Sequence, residues 1–244
     1  MSFSLPKVIG HRGAAGHAPE NTLAGIRKSA ELGVRMVEFD VKLTGDGVPV
    51  VIHDDTVDRT TDGTGPVRDM TFDRIRSLDA GIRFGREFEG ERVPSLDEAL
   101  RLCVELDLAI NIEIKPCPGR EAETAEVALT RARALWPAER PAPLISSFAL
   151  ESLRQAMETA PDWPRGYLIW ERPDDWRDNV ARLRPATLNV CHEKETPRTI
   201  ADYRETGLPV LAYTVNEAPR ARTLYGLGVA AVFSDRPDEI LAVA

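Results

Sequence analysis

Cysteine is scarce in this 244-residue chain. The three present, Cys103, Cys117 and Cys191, are odd in number, widely spaced and never in a Cys-x-x-Cys pair. Neither a disulfide framework nor a zinc knuckle is therefore expected, and a reducing compartment fits best. Long hydrophobic runs are missing as well: no segment approaches the ~20 apolar residues of a membrane helix. The opening MSFSLPKV has neither the basic start nor the apolar stretch of a signal peptide. The expectation is a cytoplasmic protein without stable membrane association. Positive charge is in the minority, with 31 Lys and Arg against 39 Asp and Glu for a formal net charge of -8, which excludes nucleic acid as a general partner. A local basic site for a small anion stays open. The glycines of TDGTG, residues 61–65, are followed by no Gly-Lys-Ser/Thr, so they read as turn formers and not as a nucleotide cradle.

What is there is enough for one large core. Hydrophobic residues make up 43% of the chain and aromatics 6%, the balance of a globular enzyme. One domain, 1–244, is expected. A short strand over Lys7 to His11 is followed by a helix capped by Asn21 or Thr22 and running to about Leu32. Further strands are expected near Val37, from Ala109 to Lys115, Pro143 to Ser147, Gly166 to Trp170, Thr187 to Val190, Pro209 to Val215 and Ala230 to Ser234. Helical stretches follow them, with a capping box at Ser95 and Glu98 and helix starts at Thr196 with Pro197, at Asn216 and around Pro237. Residues 54–94 break the rhythm with turn signals around one helical piece, Thr71 to Leu78, and read as an insertion after the second strand. Eight βα units in this length predict a (β/α)8 TIM barrel, with Val48 to Ile52 as an added hairpin strand. A doubly wound sheet alternates too, but needs a glycine-rich nucleotide loop that is not found.

The stretch Val34 to Asp54, VRMVEFDVKLTGDGVPVVIHD, carries the chemistry. Strict alternation puts Val37, Phe39 and Val41 on one strand face and Glu38, Asp40 and Lys42 on the other. The turn at Gly45-Asp46-Gly47 returns the chain through Val48 to Ile52 and delivers His53 beside the acids. In the third barrel strand, Ile110, Ile112 and Ile114 face the helices while Asn111, Glu113 and Lys115 face inward. Barrel chemistry gathers at the C-terminal strand ends, where His11 and Arg12 also lie. Glu38, Asp40 and Glu113 would share one mouth. Three such carboxylates repel one another unless a cation sits between them, and hard oxygen donors suit Mg2+ or Ca2+. They could instead be plain ion-pair partners of Arg12, Lys42 and Lys115.

His11 and His53 are the acid and base candidates, since imidazole titrates near neutral pH. A carboxylate-bound metal with two histidines suits a reaction that needs a nucleophile deprotonated and a leaving alkoxide protonated, the demand of phosphodiester hydrolysis. Arg12 and Lys115 would hold the phosphate oxygens. His17 reads as a solvated loop side chain, His192 as structural, and Trp163, Trp170 and Trp176 as packing.

In order along the chain stand HRG (His11–Gly13), PENT (Pro19–Thr22), EFD (Glu38–Asp40), HDD (His53–Asp55), DRTTDGTG from Asp58, LDAG from Leu78, NIEIKP from Asn111, SSF from Ser146 and YTVN from Tyr213. This set resembles the glycerophosphodiester phosphodiesterases, and most closely their short cytoplasmic bacterial type. The resemblance implies metal-dependent hydrolysis of glycerophosphodiesters, such as deacylated phospholipids, to sn-glycerol 3-phosphate and an alcohol. By the same resemblance the metal acids fall on Glu38, Asp40 and Glu113, the catalytic pair on His11 and His53, and the phosphate-holding groups on Arg12 and Lys115. The ion would be Mg2+ or Ca2+, or alternatively Mn2+. An aromatic of the seventh barrel strand, commonly Trp in the family, is Tyr213 in this chain. Two rival readings are a lysophospholipid phosphodiesterase, which would expose an apolar anchor for an acyl chain, and a glycerophosphodiester-binding protein without turnover.

Overall fold

Runs of β-branched and apolar residues at period two build the strands, and in the computed structural model, which describes residues 5–244, nine of them form one sheet. In chain order they are β1 (Val8–Gly10), β2 (Met36–Leu43), β3 (Pro49–Val51), β4 (Ala109–Ile114), β5 (Leu144–Ser147), β6 (Arg165–Ile169), β7 (Thr187–Cys191), β8 (Val210–Tyr213) and β9 (Ala231–Ser234). The pairing order β1-β9-β8-β7-β6-β5-β4-β2 closes on itself through β1 and β2, so eight parallel strands make the barrel. The ninth, β3, is the antiparallel hairpin partner of β2. The helices between them are α1 (Leu23–Glu31), α2 (Phe72–Arg76), α3 (Leu96–Glu105), α4 (Glu121–Leu135), α5 (Leu150–Thr159), α6 (Trp176–Leu183), α7 (Pro197–Arg204), α8 (Ala218–Gly226) and α9 (Pro237–Leu241). The fold is a (β/α)8 barrel.

Strand parity sorts the side chains. Val37, Phe39, Val41, Ile110, Ile112 and Ile114 are buried together with Leu96, Leu100, Cys103, Ala125 and Leu129 of the helical layer. Ile9, Met36, Leu144, Leu211, Ala231 and Phe233 form a separate apolar cluster drawn from strands alone, the filling of the barrel interior. Along one face of β2 the order is thus Met36, Glu38, Asp40: apolar at the floor, acidic toward the mouth. The β2–β4 register sets Glu38 beside Asn111 and Asp40 beside Glu113. All eight residues of β2 are buried, so the acids sit in the fold and not on its surface.

Segment 54–94, between β3 and α3, holds α2 and two short 3-10 turns over its own apolar cluster of Val57, Val67, Ile75, Leu78, Ala80 and Val93, which also takes in Val50, Ile52 and Cys117. Several local expectations shift. The first strand stops at Gly10 because the chain turns through left-handed residues at Arg12 (φ 49°) and Gly13 (φ 87°). A Cβ on Gly13 would lie 2.6 Å from the backbone of Gly25, so the turn requires glycine. Thr22 caps α1 by accepting from Gly25 N–H, leaving Asn21 for another task. Glu217, not Asn216, precedes α8, because Asn216 is turned toward β9. The capping boxes at Ser95 with Glu98 and at Thr196 with Thr199 are both formed.

Candidate active site

Each carboxylate is aimed by its strand. Glu38, Asp40 and Glu113 are buried, and one oxygen from each lies within 4.8 Å of the others. Glu38 Oε2 accepts the backbone N–H of Arg12 at 2.8 Å, a bond set up by the left-handed turn at Arg12, while its Oε1 is buried with no hydrogen-bond partner. Asp40 Oδ2 accepts from Asn21 Nδ2 at 2.8 Å and faces Arg12 Nε at 3.4 Å. Lys115 Nζ lies 2.7 Å from Glu113 Oε1 and 3.5 Å from Asp40 Oδ1.

The charges do not balance within the protein. Lys42, which shares the acids' strand face, instead bonds Asp55 at 2.7 Å and the Lys115 carbonyl at 2.9 Å. Two cations, Arg12 and Lys115, are left to face three buried carboxylates. Burial, then the like charges of Asp40 and Glu113, push the Glu38 carboxyl well above its usual range. Burial and Asp40 raise Glu113 as well, with Lys115 opposing. Against burial, Lys115, Arg12 and His53 hold Asp40 well below the usual carboxylate range. Hard oxygen donors, a charge deficit and the orphaned Glu38 Oε1 together fit a hard divalent cation.

Both histidines present one nitrogen to a carboxylate. His11 Nδ1 is 2.7 Å from Asp235 Oδ1, and its Nε2 lies 4.0 Å from Glu38 Oε2. His53 Nδ1 is 2.6 Å from Asp54 Oδ1. An ionised carboxylate only accepts, so each Nδ1 carries the proton and each Nε2 is left for other work. Burial, aided by Arg12 and Lys115, lowers the His53 pKa although Asp40 and Asp54 pull it upward.

His11, Arg12, Glu38, His53, Glu113 and Lys115 line one cleft of about 220 Å3, with Asp40 just beneath, paired with Arg12 and Lys115 of its walls. The far wall of this cleft is apolar, formed by Phe148, Leu168, Trp170, Tyr213 and Phe233. Trp170, expected to be packing, is 53% exposed at the cleft, and Phe148 is 38% exposed beside Tyr213, the two rings meeting edge to face at 5.8 Å. Trp163 and Trp176 are buried packing. His17 pairs with Asp238, and His192 donates to the Thr214 carbonyl while accepting from Arg220; neither lines the cleft. Sequence reading gave no site role to Asp235, Asp54, Glu20, Asn21 or Arg59, although all but Asp235 lie within the motifs named above and Asn21 was a cap candidate. The signal for Asp54 was its place beside His53, and for Asp235 its place just past the last strand.

This arrangement of acids, paired histidines and cations at a barrel mouth has close counterparts. Residues 11–239 match the model of the glycerophosphoryl diester phosphodiesterase family. The chain belongs to that family. It is 36% identical over 239 residues to a glycerophosphodiester phosphodiesterase of Caldanaerobacter subterraneus, covering 96% of both chains. Among solved structures it resembles an Oleispira antarctica phosphodiesterase in complex with the product sn-glycerol-3-phosphate, at a TM-score of 0.95, 38% identity and coverage of 98% and 96% of the two chains. A glycerophosphodiester phosphodiesterase from Agrobacterium tumefaciens matches at a TM-score of 0.78 and 31% identity, covering 98% of this chain and 100% of that one. As a member of this family the chain is a phosphoric diester hydrolase. Among the described residues no helix is long and apolar enough to cross a membrane.

Proposed function

We propose that the cleft hydrolyses small glycerophosphodiesters to sn-glycerol 3-phosphate and an alcohol, with His11 as base and His53 as acid. The observation that carries this reading is the pair of imidazoles, each with Nδ1 tied to a carboxylate, opening on the cleft that holds Glu38, Glu113, Arg12 and Lys115. The product bound to the Oleispira relative supports the choice of substrate.

Glu38, Asp40 and Glu113 would hold a divalent ion, Mg2+, Ca2+ or Mn2+, which when bound neutralises charge on the phosphate as the transition state forms. Arg12 and Lys115 hold the non-bridging oxygens. His11 Nε2 takes the proton of the attacking hydroxyl; its imidazolium form is stabilised by Asp235. His53 Nε2 gives a proton to the departing alkoxide, and Asp54 favours the protonated ring that this needs. The attacking group is water or the glycerol 2-hydroxyl, the latter passing through a cyclic phosphate that a slowed variant would accumulate. Each proton transfer contributes about 10²- to 10⁴-fold.

The reading extends to the whole chain as one domain, 1–244, with 54–94 as an inserted subdomain beside the site. It also extends to a cytoplasmic location, supported by three free, buried cysteines. A second reading, cleavage of lysophospholipids, draws on the exposed apolar faces of Phe148 and Trp170.

The test is release of glycerol 3-phosphate from glycerophosphocholine and glycerophosphoethanolamine by protein stripped with EDTA and resupplied with each ion. Release restored by an ion supports the reading, and release from lysophosphatidylcholine alone moves it to the second. Binding of substrate without release under any ion would instead mark a binding protein.

A further inference from the structure

The two edges of the cleft are joined by a chain of charges that passes through a residue outside it. Arg59 lies in segment 54–94, in the turn that opens that segment. Its guanidinium makes two forks. Nε and Nη2 donate to Asp54 Oδ2 and Oδ1 at 2.6 and 3.0 Å, and Nη1 and Nη2 donate to Glu20 Oε2 and Oε1 at 2.7 and 2.8 Å. Glu20 in turn accepts from Arg12 Nη1 at 2.9 Å, and Asp54 holds His53 Nδ1 at 2.6 Å. The sequence Arg12, Glu20, Arg59, Asp54, His53 is therefore one unbroken series of ion pairs. It links the β1–α1 loop to the residues that follow β3.

We propose that Arg59 is a positioning residue, a clasp contributed by the inserted segment that sets the orientation of the phosphate-holding Arg12 through Glu20 and of the acid His53 through Asp54. The inference rests on the reading of the cleft given above.

Three observations carry it. Each carboxylate between the ends would otherwise have two rotatable oxygens and a single cationic or imidazole partner; the planar fork of Arg59 fixes both oxygens of both groups at once, a geometry lysine cannot copy. The turn that presents Arg59 is itself held, since Thr61 N–H and Oγ1 both bond the Val57 carbonyl, Arg83 Nε bonds the Thr61 carbonyl and Asp58 Oδ2 accepts Gly65 N–H. Finally, the Arg59 side chain is 49% exposed, so a purely stabilising role for it would be small. The clasp also accounts for Asp54: hydrogen bonds from Arg59 first, then from His53, hold its carboxyl well below the usual range, which keeps it an acceptor for His53 Nδ1–H.

The experiment compares Arg59→Ala, Arg59→Lys, Asp54→Asn and the Arg59→Ala, Asp54→Asn double variant, all assayed for glycerol 3-phosphate release with the activating ion. Alongside, the Nδ1–H proton resonance of His53 is followed in histidine-labelled protein. The expected result is a kcat at least tenfold lower in Arg59→Ala, a larger effect on kcat than on folding midpoint, and partial recovery at best in Arg59→Lys. In the Asp54→Asn background the loss of Arg59 should cost several-fold less than it does alone, because the route to His53 is already cut and only the one through Glu20 to Arg12 remains. The hydrogen-bonded Nδ1–H signal should weaken or vanish in Arg59→Ala. Unchanged kcat in Arg59→Ala, or losses that multiply independently in the double variant, would overturn the proposal. A wild-type protein that releases no glycerol 3-phosphate defeats the reading of the cleft instead; the His53 resonance then decides the clasp, an unchanged signal in Arg59→Ala refuting it.

Discussion

The two histidines of the cleft are held in different ways. His11 and its partner Asp235 belong to the barrel itself: Asp235 follows β9 directly, and Asn216, which follows β8, donates to its Oδ2 at 2.7 Å and accepts its backbone N–H at 2.8 Å. Its further support is neutral and built from strand ends. His53 and Asp54 belong to the hairpin and the segment after it, and Asp54 is held by a half-exposed guanidinium from that segment. The barrel half is thus fixed by pairing across closed strands. The other half depends on charges that meet only because segment 54–94 folds onto its own small cluster. One half of the site should be rigid and insensitive to salt, the other adjustable and sensitive to it.

The largest effect expected is common to both halves. His11→Ala and His53→Ala should each lower kcat by about 10²- to 10⁴-fold with the fold intact by circular dichroism. Glu38→Gln, Asp40→Asn and Glu113→Gln should lower activity and also weaken the ion's binding, read by titration of EDTA-stripped protein. The halves then part. Asn216→Ala removes two hydrogen bonds to Asp235, one of them to its carboxylate, and should cost about 1.5–3 kcal/mol in transition-state stabilisation at any salt concentration, whereas the defect of Arg59→Ala should narrow as salt screens the same ion pairs in the wild type. Equal salt sensitivity on both sides would erase the distinction.

Local opening should follow the same division. Amide exchange in segment 54–94 should proceed through lower-energy openings than exchange in β2, β4 and β5, and Ile112→Ala should cost about 2–5 kcal/mol of global stability by denaturant unfolding. The smallest effect concerns the buried Cys103 thiol, whose pKa burial pushes up to about 12. An unfolded thiol releases its proton near about 8.5. The folded form keeps its proton longer, so this contribution is complete below that pH and is lost as the pH rises toward the folded value. Cys103→Ala should therefore flatten the fall in stability between pH 8 and 10 by up to about 1.4 kcal/mol per pH unit.

Much of this was legible in the sequence because it rests on local periodicity. Period two placed Glu38, Asp40 and Glu113 on the inner faces of strands that turn out to be neighbours in register. The turn signals at Gly45 to Gly47 announced the hairpin that delivers His53. The carboxylate behind His11 was not legible, since Asp235 reaches it only when the last strand closes the barrel against the first. Asn21 was read as a cap because its type suits one, yet the left-handed backbone there (φ 56°) aims it at Asp40 while Thr22 does the capping. Trp170 carries no periodic signal, and its place at the cleft depends on where β6 ends. Arg59 was hidden for the same reason: its two forks join residues that only the tertiary fold brings together.

The division of labour between the histidines is tested most directly by changing the leaving group. Choline leaves glycerophosphocholine as a basic alkoxide that needs a proton, whereas nitrophenol leaves a glycerophosphoryl nitrophenyl ester as a stable phenolate that does not. If His53 is the acid, His53→Ala should lose glycerophosphocholine turnover by about 10²-fold or more and keep near wild-type turnover of the nitrophenyl ester, while His11→Ala loses both. Equal loss of the two substrates in His53→Ala would contradict the account.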